Sequence, residues 1–178
     1  MAGHSKWAQI KRQKAVTDAQ KSKEFAKLLR KITVAVKEAG KDPNANRALS
    51  SAVEKARDAN VPSSNIERAI ERAGGAGAHT LENVLFEAYG PAGAALLIEG
   101  VTDSKNRTSQ EVKHILAEHG GKLASPGSAR FLFQKTARGW EPVTPLPVDD
   151  GTKETLTKLF EALDAHDDIT DIYTNADL

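Results

Sequence analysis

Apolar residues recur at helical spacing along the first part of the chain. Between residues 17 and 40 they follow a single stripe, which indicates one long amphipathic helix. The stripe consists of Phe25, Leu28, Leu29, Ile32 and Val36. Successive residues of a helix are rotated by about 100° around its axis. By this rotation Lys23, Lys27, Arg30 and Lys37 lie on the face opposite to the apolar stripe. The pattern therefore predicts a helix with one buried face and one basic, solvent-exposed face.

Two shorter helices follow the first one. Residues 44–59 have apolar side chains at helical spacing, and Val61-Pro62 ends that helix because proline cannot continue it. A third helix begins at Ser64 and ends before Gly74-Gly75, since glycine is common just past a helix C-terminus. The three helices together predict a basic helical bundle over residues 1–78.

Beyond residue 78 the pattern becomes a mixture of strands and helices. Short apolar runs flanked by glycine and proline predict strands, and longer runs with helical spacing predict helices. The predicted strands are 84–89, 94–102, 129–134 and 169–174, and the predicted helices are 106–119 and 152–166. Three prolines within 136–151 predict a linker without regular structure. This order favours an α+β fold in which an antiparallel two-layer α+β domain, residues 79–178, follows the bundle.

Charge divides the 178-residue chain at the same place as the periodicity. Residues 1–78 contain 16 Lys and Arg against 8 Asp and Glu, whereas residues 79–178 contain 9 against 16, although the formal net charge is only +1. Such asymmetry is typical of a protein in which one half contacts a polyanion. The alternative is a solvated basic face that pairs with the acidic half of the same chain.

The first 17 residues carry cations and no acid. A folded or nucleic-acid-touching basic arm explains this composition, and a transit peptide is the alternative. Trp7 in this arm either stacks on an exposed base or packs the arm onto the bundle. The residues predicted to bind nucleic acid are Lys6, Trp7, Lys11, Arg12, Lys14, Lys23, Lys27, Arg30 and Lys37.

No group of residues resembles a catalytic or cofactor site. The absence of cysteine excludes disulfides, thiolate metal sites and cysteine nucleophiles. His114 and His119 are not at the spacing of a helical zinc pair, and Asp167-Asp168 is interpreted as a pair of solvated turn acids. The longest apolar stretch, Ala94 to Ile98, is too short to cross a bilayer. We therefore expect no enzyme activity, cofactor, metal, small-molecule substrate or membrane partner, and a cytoplasmic location.

Several motifs in a fixed order resemble one known family. The chain opens with Met-Ala-Gly-His-Ser-Lys-Trp. Further matches are Asn60-Val61-Pro62, Asn65 to Ile70, Tyr89-Gly90-Pro91, Asn106-Arg107-Thr108, His119-Gly120-Gly121, Pro126-Gly127-Ser128 and Phe131-Leu132-Phe133. In these places the sequence is similar to the YebC/PmpR family, over about residues 1–135 and 152–178. Gln9 and Gln13 differ from the residues more usual at those positions.

The resemblance implies a cytosolic transcriptional regulator that binds DNA. Mitochondrial members of the family act as translational activators, so the alternative is a ribosome-associated factor that contacts RNA through the same basic surface. A protein-binding module that uses the acidic half is a weaker alternative. Family members carry a third α/β domain where this chain has only residues 136–151, which implies a short form.

Overall fold

Three helices form the first half of the chain. The computed structural model describes Trp7 and residues 18–73, 81–137 and 139–178. The helices are α1 (Asp18–Ala39), α2 (Arg47–Asp58) and α3 (Ser63–Ala73), within a few residues of the predicted bounds. Helix α1 contacts both of the others. None of the helices in the described ranges has the length and apolar character needed to span a membrane.

The core of the helical half is built from aliphatic side chains. Its most buried members are Ile32, Val36, Leu49, Ala56, Val61 and Ile66. Asn46 fastens the start of α2 to α1, because its Oδ1 accepts a hydrogen bond from Leu49 N (3.0 Å) and its Nδ2 donates to Ala35 O (2.7 Å). The apolar stripe of α1 therefore faces its own bundle, which leaves the polar face of α1 for other contacts.

An antiparallel sheet forms the centre of the second half. Its strands are β1 (Glu82–Tyr89), β2 (Ala95–Thr102), β3 (Lys122–Ala124) and β7 (Ile169–Thr174), in the order β3-β1-β2-β7. Helices α4 (Lys105–Glu118) and α5 (Asp150–Asp164) pack against it. The predicted α+β class, a helical bundle followed by an antiparallel α+β layer, is confirmed. Strand β3 was not predicted, because three residues are too few to show a periodicity.

Alternating side chains of the sheet enter two different cores. Phe86 and Ile98 point toward α4 and α5 and pack with apolar residues of both helices. Leu97 and Tyr173 lie on the other face, where they pack with Phe133. This second face is the one that the helical half also approaches, since α1 contacts β2 and β7.

The predicted strand 129–134 begins later than expected. Residues Arg130–Leu132 form a 3-10 turn, and β4 covers Phe133–Thr136. The backbone N–H groups of Ala129 and Arg130 donate to the carboxylate of Glu87 at 2.7 and 2.9 Å. Because those donors are used by a side chain, residues 129 and 130 do not enter a strand ladder.

The prediction that residues 136–151 lack regular structure is wrong. Strand β5 (Gly139–Pro142) forms a hairpin with β4, β6 (Leu146–Pro147) pairs with β8 (Ala176–Asp177), and α5 already begins at Asp150. Two of the prolines end these short strands at sheet edges, where a missing N–H donor costs no ladder hydrogen bond. Trp140 in β5 is buried, so this segment belongs to a folded core.

The boundary between the two halves falls within residues 74–80, which lie outside the described residues. We expect elastase, which cuts after small residues, to cleave first in this Gly- and Ala-containing segment. The two fragments should stay associated at low salt, because the ion pairs of α1 described below join the halves. Size-exclusion chromatography at low and high salt measures this. Early cleavage within 82–102 would contradict the division at residue 78.

Candidate nucleic-acid interface

The polar face of α1 packs on acidic residues at the end of α5, in β2 and in β7. Lys27 is only 7% exposed; its Nζ donates to the carbonyl of Asp164 and lies 3.8 Å from Asp164 Oδ1. One turn further along, Lys31 donates to Asp171, and its Nζ lies 3.8 Å from Glu99 Oε2. Burial alone would lower the pKa of Lys31, but the charges of Asp171 and Glu99 outweigh it and raise that pKa. Helix α1 is thereby held on the second half by buried ion pairs.

Asp168 joins three elements at this contact. Its Oδ1 accepts from Arg30 Nη1 of α1 at 2.9 Å, and its Oδ2 accepts from Arg107 Nη2 at 2.8 Å and from Thr108 Oγ1 at 2.7 Å, both on α4. The residue is 4% exposed. Burial alone would raise its pKa, but hydrogen bonds from Thr108, Arg107 and Thr102 and the charge of Arg30 lower the pKa to about 2. The interpretation of Asp168 as a solvated turn acid is wrong, whereas Asp167 is exposed.

A close approach of β2 to the segment before β7 positions Asp168. The carbonyl of Asp168 accepts from Val101 N at 2.8 Å, beside an irregularity in the β2–β7 register at Glu99 and Gly100. A Cβ atom at Gly100 would lie 2.6 Å from that carbonyl oxygen. Only glycine therefore allows the backbone of Asp168 to approach β2 closely enough.

The structure separates the residues that were predicted to form one basic surface. The expectation of a solvent-exposed face is wrong for Lys27 and, in part, for Arg30, because both are committed to aspartates of the second half. Lys23 is exposed and lies 3.7 Å from Asp167, and Lys37 is exposed. The cations of the arm, Lys6, Lys11, Arg12 and Lys14, lie outside the described residues.

Trp7 is the one residue of the arm that the structure describes. It is 5% exposed and meets Phe160 of α5 edge to face, with ring centroids 5.5 Å apart. Its neighbours belong to the core of the second half rather than to the helical bundle. A buried ring cannot stack on a base, so Trp7 does not serve as a base-stacking residue in this conformation. It anchors the arm, although onto α5 and not onto the bundle.

The remaining exposed charges of the described helical half nearly balance. The exposed cations of residues 18–73 are Lys21, Lys23, Lys37, Lys41, Arg47, Arg57, Arg68 and Arg72. The exposed acids of the same range are Asp18, Glu38, Asp42, Glu54, Asp58, Glu67 and Glu71. The cations of α1 that face the second half have partners there. The excess of basic residues in the first half therefore lies mainly in residues 1–17 of the sequence, which hold four cations and no acid.

A cleft of about 830 Å³ lies between the two halves. Cations on its walls include Lys31, Lys55 and Lys135, and acids include Glu38 and Glu99. Both signs of charge line this cleft, so its composition does not favour anions over cations.

Glu111, His166 and Asp168 each have a ligand atom within 4.8 Å of those of the other two, a spacing at which three side chains can share a metal ion. His166 Nδ1 accepts from the backbone N–H of Asp168 at 3.1 Å, so that its Nε2–H donates to Glu111 Oε2 at 2.8 Å. The carboxylate of Asp168 is already shared by two arginines, whose positive charges oppose a cation. The cluster is thus accounted for by hydrogen bonds between its own members.

The fold and this interface define a class: an α+β protein with a basic helical half held on an acidic sheet domain by ion pairs. Two family models match the chain. That of the TACO1/YebC protein N-terminal domain covers residues 5–76, and that of the TACO1/YebC second and third domain covers residues 81–139. The chain belongs to the TACO1/YebC family.

Named relatives and one solved structure agree with this membership. A "probable transcriptional regulatory protein" of Rubrobacter xylanophilus is 45% identical over 165 residues, which are 91% of this chain and 64% of the relative. A protein of the same name from Acidothermus cellulolyticus is 35% identical over 240 residues, which span 100% of this chain and 97% of the relative. The crystal structure of the conserved hypothetical protein Aq1575 from Aquifex aeolicus aligns with a TM-score of 0.80 at 27% identity, covering 99% and 95% of the two chains.

The chain is short compared with these relatives. It spans 64% of the length of the Rubrobacter protein and 54% of the relative from Kosmotoga olearia. The alignment with the Acidothermus protein runs over 240 residues, although this chain has 178, so the relative holds additional residues opposite gaps in this chain. This agrees with an internal segment that the relatives have and this chain lacks.

Proposed function

We propose that the chain is a non-enzymatic regulator of transcription that binds DNA through the cations of its N-terminal arm, in the cytoplasm. The observation that carries the proposal is the distribution of charged residues between the arm and the described helices. The cations of α1 that face the second half are paired with it, the exposed charges of residues 18–73 nearly balance, and the arm has four cations and no acid. The names of the relatives, probable transcriptional regulatory proteins, support the regulatory role.

The buried side chain of Trp7 anchors the arm to the folded chain. Trp7 is buried against Phe160, so Lys6 and Lys11 are one and four residues away from an anchored side chain. A short tether limits how far a cation moves from its anchor, because each residue spans at most about 3.6 Å. Anchoring of this kind reduces the conformational entropy that is lost when the arm binds a phosphate backbone.

Binding through the arm predicts a specific dependence on salt. Four phosphates neutralised on duplex DNA give a slope of log affinity against log salt concentration of about −4. We expect the triple variant Lys11→Ala, Arg12→Ala, Lys14→Ala to reduce the magnitude of that slope by about 3 and to weaken binding to all DNA sequences alike. Fluorescence anisotropy with a labelled 20-base-pair duplex (about two helical turns) at four salt concentrations measures the slope.

A matched control removes the same charge elsewhere. Arg57, Arg68 and Arg72 are exposed on α2 and α3, so Arg57→Ala, Arg68→Ala, Arg72→Ala lowers the net charge of the chain by the same amount. The proposal requires that this control keeps a slope close to that of the wild type. If the two triple variants lose affinity equally, the net charge and not the arm governs binding.

A ribosome-associated role that uses the same arm is the second candidate. Sequence-specific reading of DNA generally places a helix in the major groove. Helix α1, the longest of the described helices, has Lys27, Arg30 and Lys31 on the second half instead, which favours recognition of backbone or shape. A sucrose-gradient profile of cell lysate separates the candidates. Co-migration with ribosomes that is lost in the arm variant would support the second one.

A further inference from the structure

The two most exposed large apolar residues of the described chain lie next to each other. Phe131 is 70% exposed and Val143 is 62% exposed. The N–H of Val143 donates to the carbonyl of Leu132 at 2.9 Å, which places Val143 beside the residue that follows Phe131. An exposed aromatic ring in a folded protein lacks the burial that normally stabilises such a side chain. The two exposed apolar side chains therefore belong to adjoining segments of the second half.

The loop that carries Phe131 is held firmly. The buried carboxylate of Glu87 accepts three backbone hydrogen bonds from this loop, from Gly127 N at 2.6 Å, Ala129 N at 2.7 Å and Arg130 N at 2.9 Å. Burial alone would raise the pKa of Glu87, but these hydrogen bonds lower it. Phe131 is therefore exposed on a loop whose backbone is held in place, which reduces the backbone ordering that binding would require.

Two exposed cations belong to the segment that carries Phe131. The guanidinium of Arg130 lies 5.0 Å, and the Nζ of Lys135 lies 5.3 Å, from the ring centroid of Trp140. Trp140 is fixed in turn, because its Nε1 donates to Glu99 at 3.0 Å. Within the described ranges neither cation forms an ion pair. The charge of Arg130 helps to lower the pKa of Glu87, but the carboxylate oxygens of Glu87 already accept hydrogen bonds from the backbone of the loop. In a half with 9 cations and 16 acids, Arg130 and Lys135 contact the ring of Trp140 and remain exposed to an anion from outside the chain.

We propose that Arg130, Phe131, Lys135 and Val143 form a binding site for single-stranded nucleic acid, in which a base stacks on Phe131 and phosphates contact Arg130 and Lys135. This inference rests on the proposed nucleic-acid binding and adds a second contact, formed by residues 130–143. An aromatic ring with cations beside it is the combination that binds unpaired bases and their backbone without a strong sequence preference. A duplex does not offer a free base face to Phe131, so the site discriminates single strands from duplexes.

The test uses the full chain with fluorescein-labelled 12-mers of deoxythymidine and uridine and with a duplex of equal length. Phe131→Ala should weaken binding of the single strands by about tenfold, the typical loss of one stacked base, and leave duplex binding unchanged. Phe131→Leu keeps an apolar side chain without the ring and should lose as much as Phe131→Ala. Lys135→Gln should reduce the dependence of single-strand binding on salt by about one phosphate.

Several outcomes separate this inference from the proposed function. Both are overturned if the wild-type chain binds none of the three probes. If the wild type binds and the arm variant is weakened, but Phe131→Ala and Lys135→Gln bind single strands as the wild type does, the proposed function stands and this site is wrong. Equal weakening of single-strand and duplex binding by Phe131→Ala also overturns the site. The single strand that binds more tightly identifies DNA or RNA as the source of the ligand. Thermal unfolding should be unchanged in the Phe131 and Lys135 variants, since those side chains are exposed.

Discussion

Replacing Trp7 by alanine should lower the free energy of unfolding by about 3 kcal/mol, because a buried tryptophan leaves a large cavity in the core. Trp7 is 5% exposed and packs with Phe160 in the main core of the second half. Its Nε1 has no hydrogen-bond partner among the described residues, so the loss comes from packing alone. Urea unfolding followed by circular dichroism at pH 7 measures the change.

Phe131 supplies the matched control for Trp7. Phe131→Ala removes an aromatic ring that is 70% exposed and should leave the free energy of unfolding nearly unchanged. Trp7→Phe retains most of the contact with Phe160 and should lose less than Trp7→Ala. If Trp7→Ala unfolds like the wild type but binds nucleic acid more weakly, the ring is available for stacking and its burial is not maintained in solution.

Replacing Asp168 by alanine should lower the free energy of unfolding by about 2–3 kcal/mol, since a buried acceptor with three donors is removed. Arg30, Arg107 and Thr108 lose their shared partner, although both arginines are partly exposed and regain some hydration. Asp167→Ala is the matched control: Asp167 is 77% exposed and its contact with Lys23 is 3.7 Å long. Exposed ion pairs contribute little, so this neighbour should unfold almost as the wild type does. Equal effects of the two substitutions would refute a special role for Asp168.

The stability contribution of Asp168 also depends on pH in a defined direction. The pKa of Asp168 is about 2 in the folded chain, below its usual value of 3.8. A carboxyl group whose pKa is lowered by folding stabilises the folded state above its unfolded pKa and loses that effect as the pH falls through the folded pKa. The wild type should therefore lose stability between about pH 4 and pH 2, and Asp168→Asn should lose less over that window. Urea midpoints at pH 7, 4, 3 and 2.5 measure the difference.

Local patterns determined the elements of this fold. The stripe of α1 is a property of neighbouring residues, because helical geometry alone places positions three and four apart on one face. The strands β1, β2 and β7 followed from short apolar runs between turn residues, and the α+β class followed from their order. The prediction for residues 136–151 was wrong. Their prolines suggested an irregular linker, but pairing of β5 with β4 and burial of Trp140 depend on partners that no local pattern reveals.

The sequence predicted which residue types form the candidate interface, but not which of them contact each other. The sequence showed a basic half and an acidic half, and one of its two interpretations was that they pair with each other. Which interpretation holds for Lys27 depends on Asp164, a residue 137 positions away. No local pattern in the sequence shows that two residues so far apart along the chain are in contact. In the same way Phe131 was visible only as part of a motif, and its exposure beside Arg130 and Lys135 depends on the loop that Glu87 holds.

The sequence by itself determined the family, the fold class, the order of the helices and longer strands and the unequal charge of the two halves, because these are set by residue types and their spacing. The tertiary structure alone decided which charges remain free. Cations of α1 became internal partners when α1 packed on the segment that contains Asp168, and Trp7 became part of a core when it met Phe160. The free energy of a charge or a ring depends on its surroundings, and those surroundings come from residues far away along the chain.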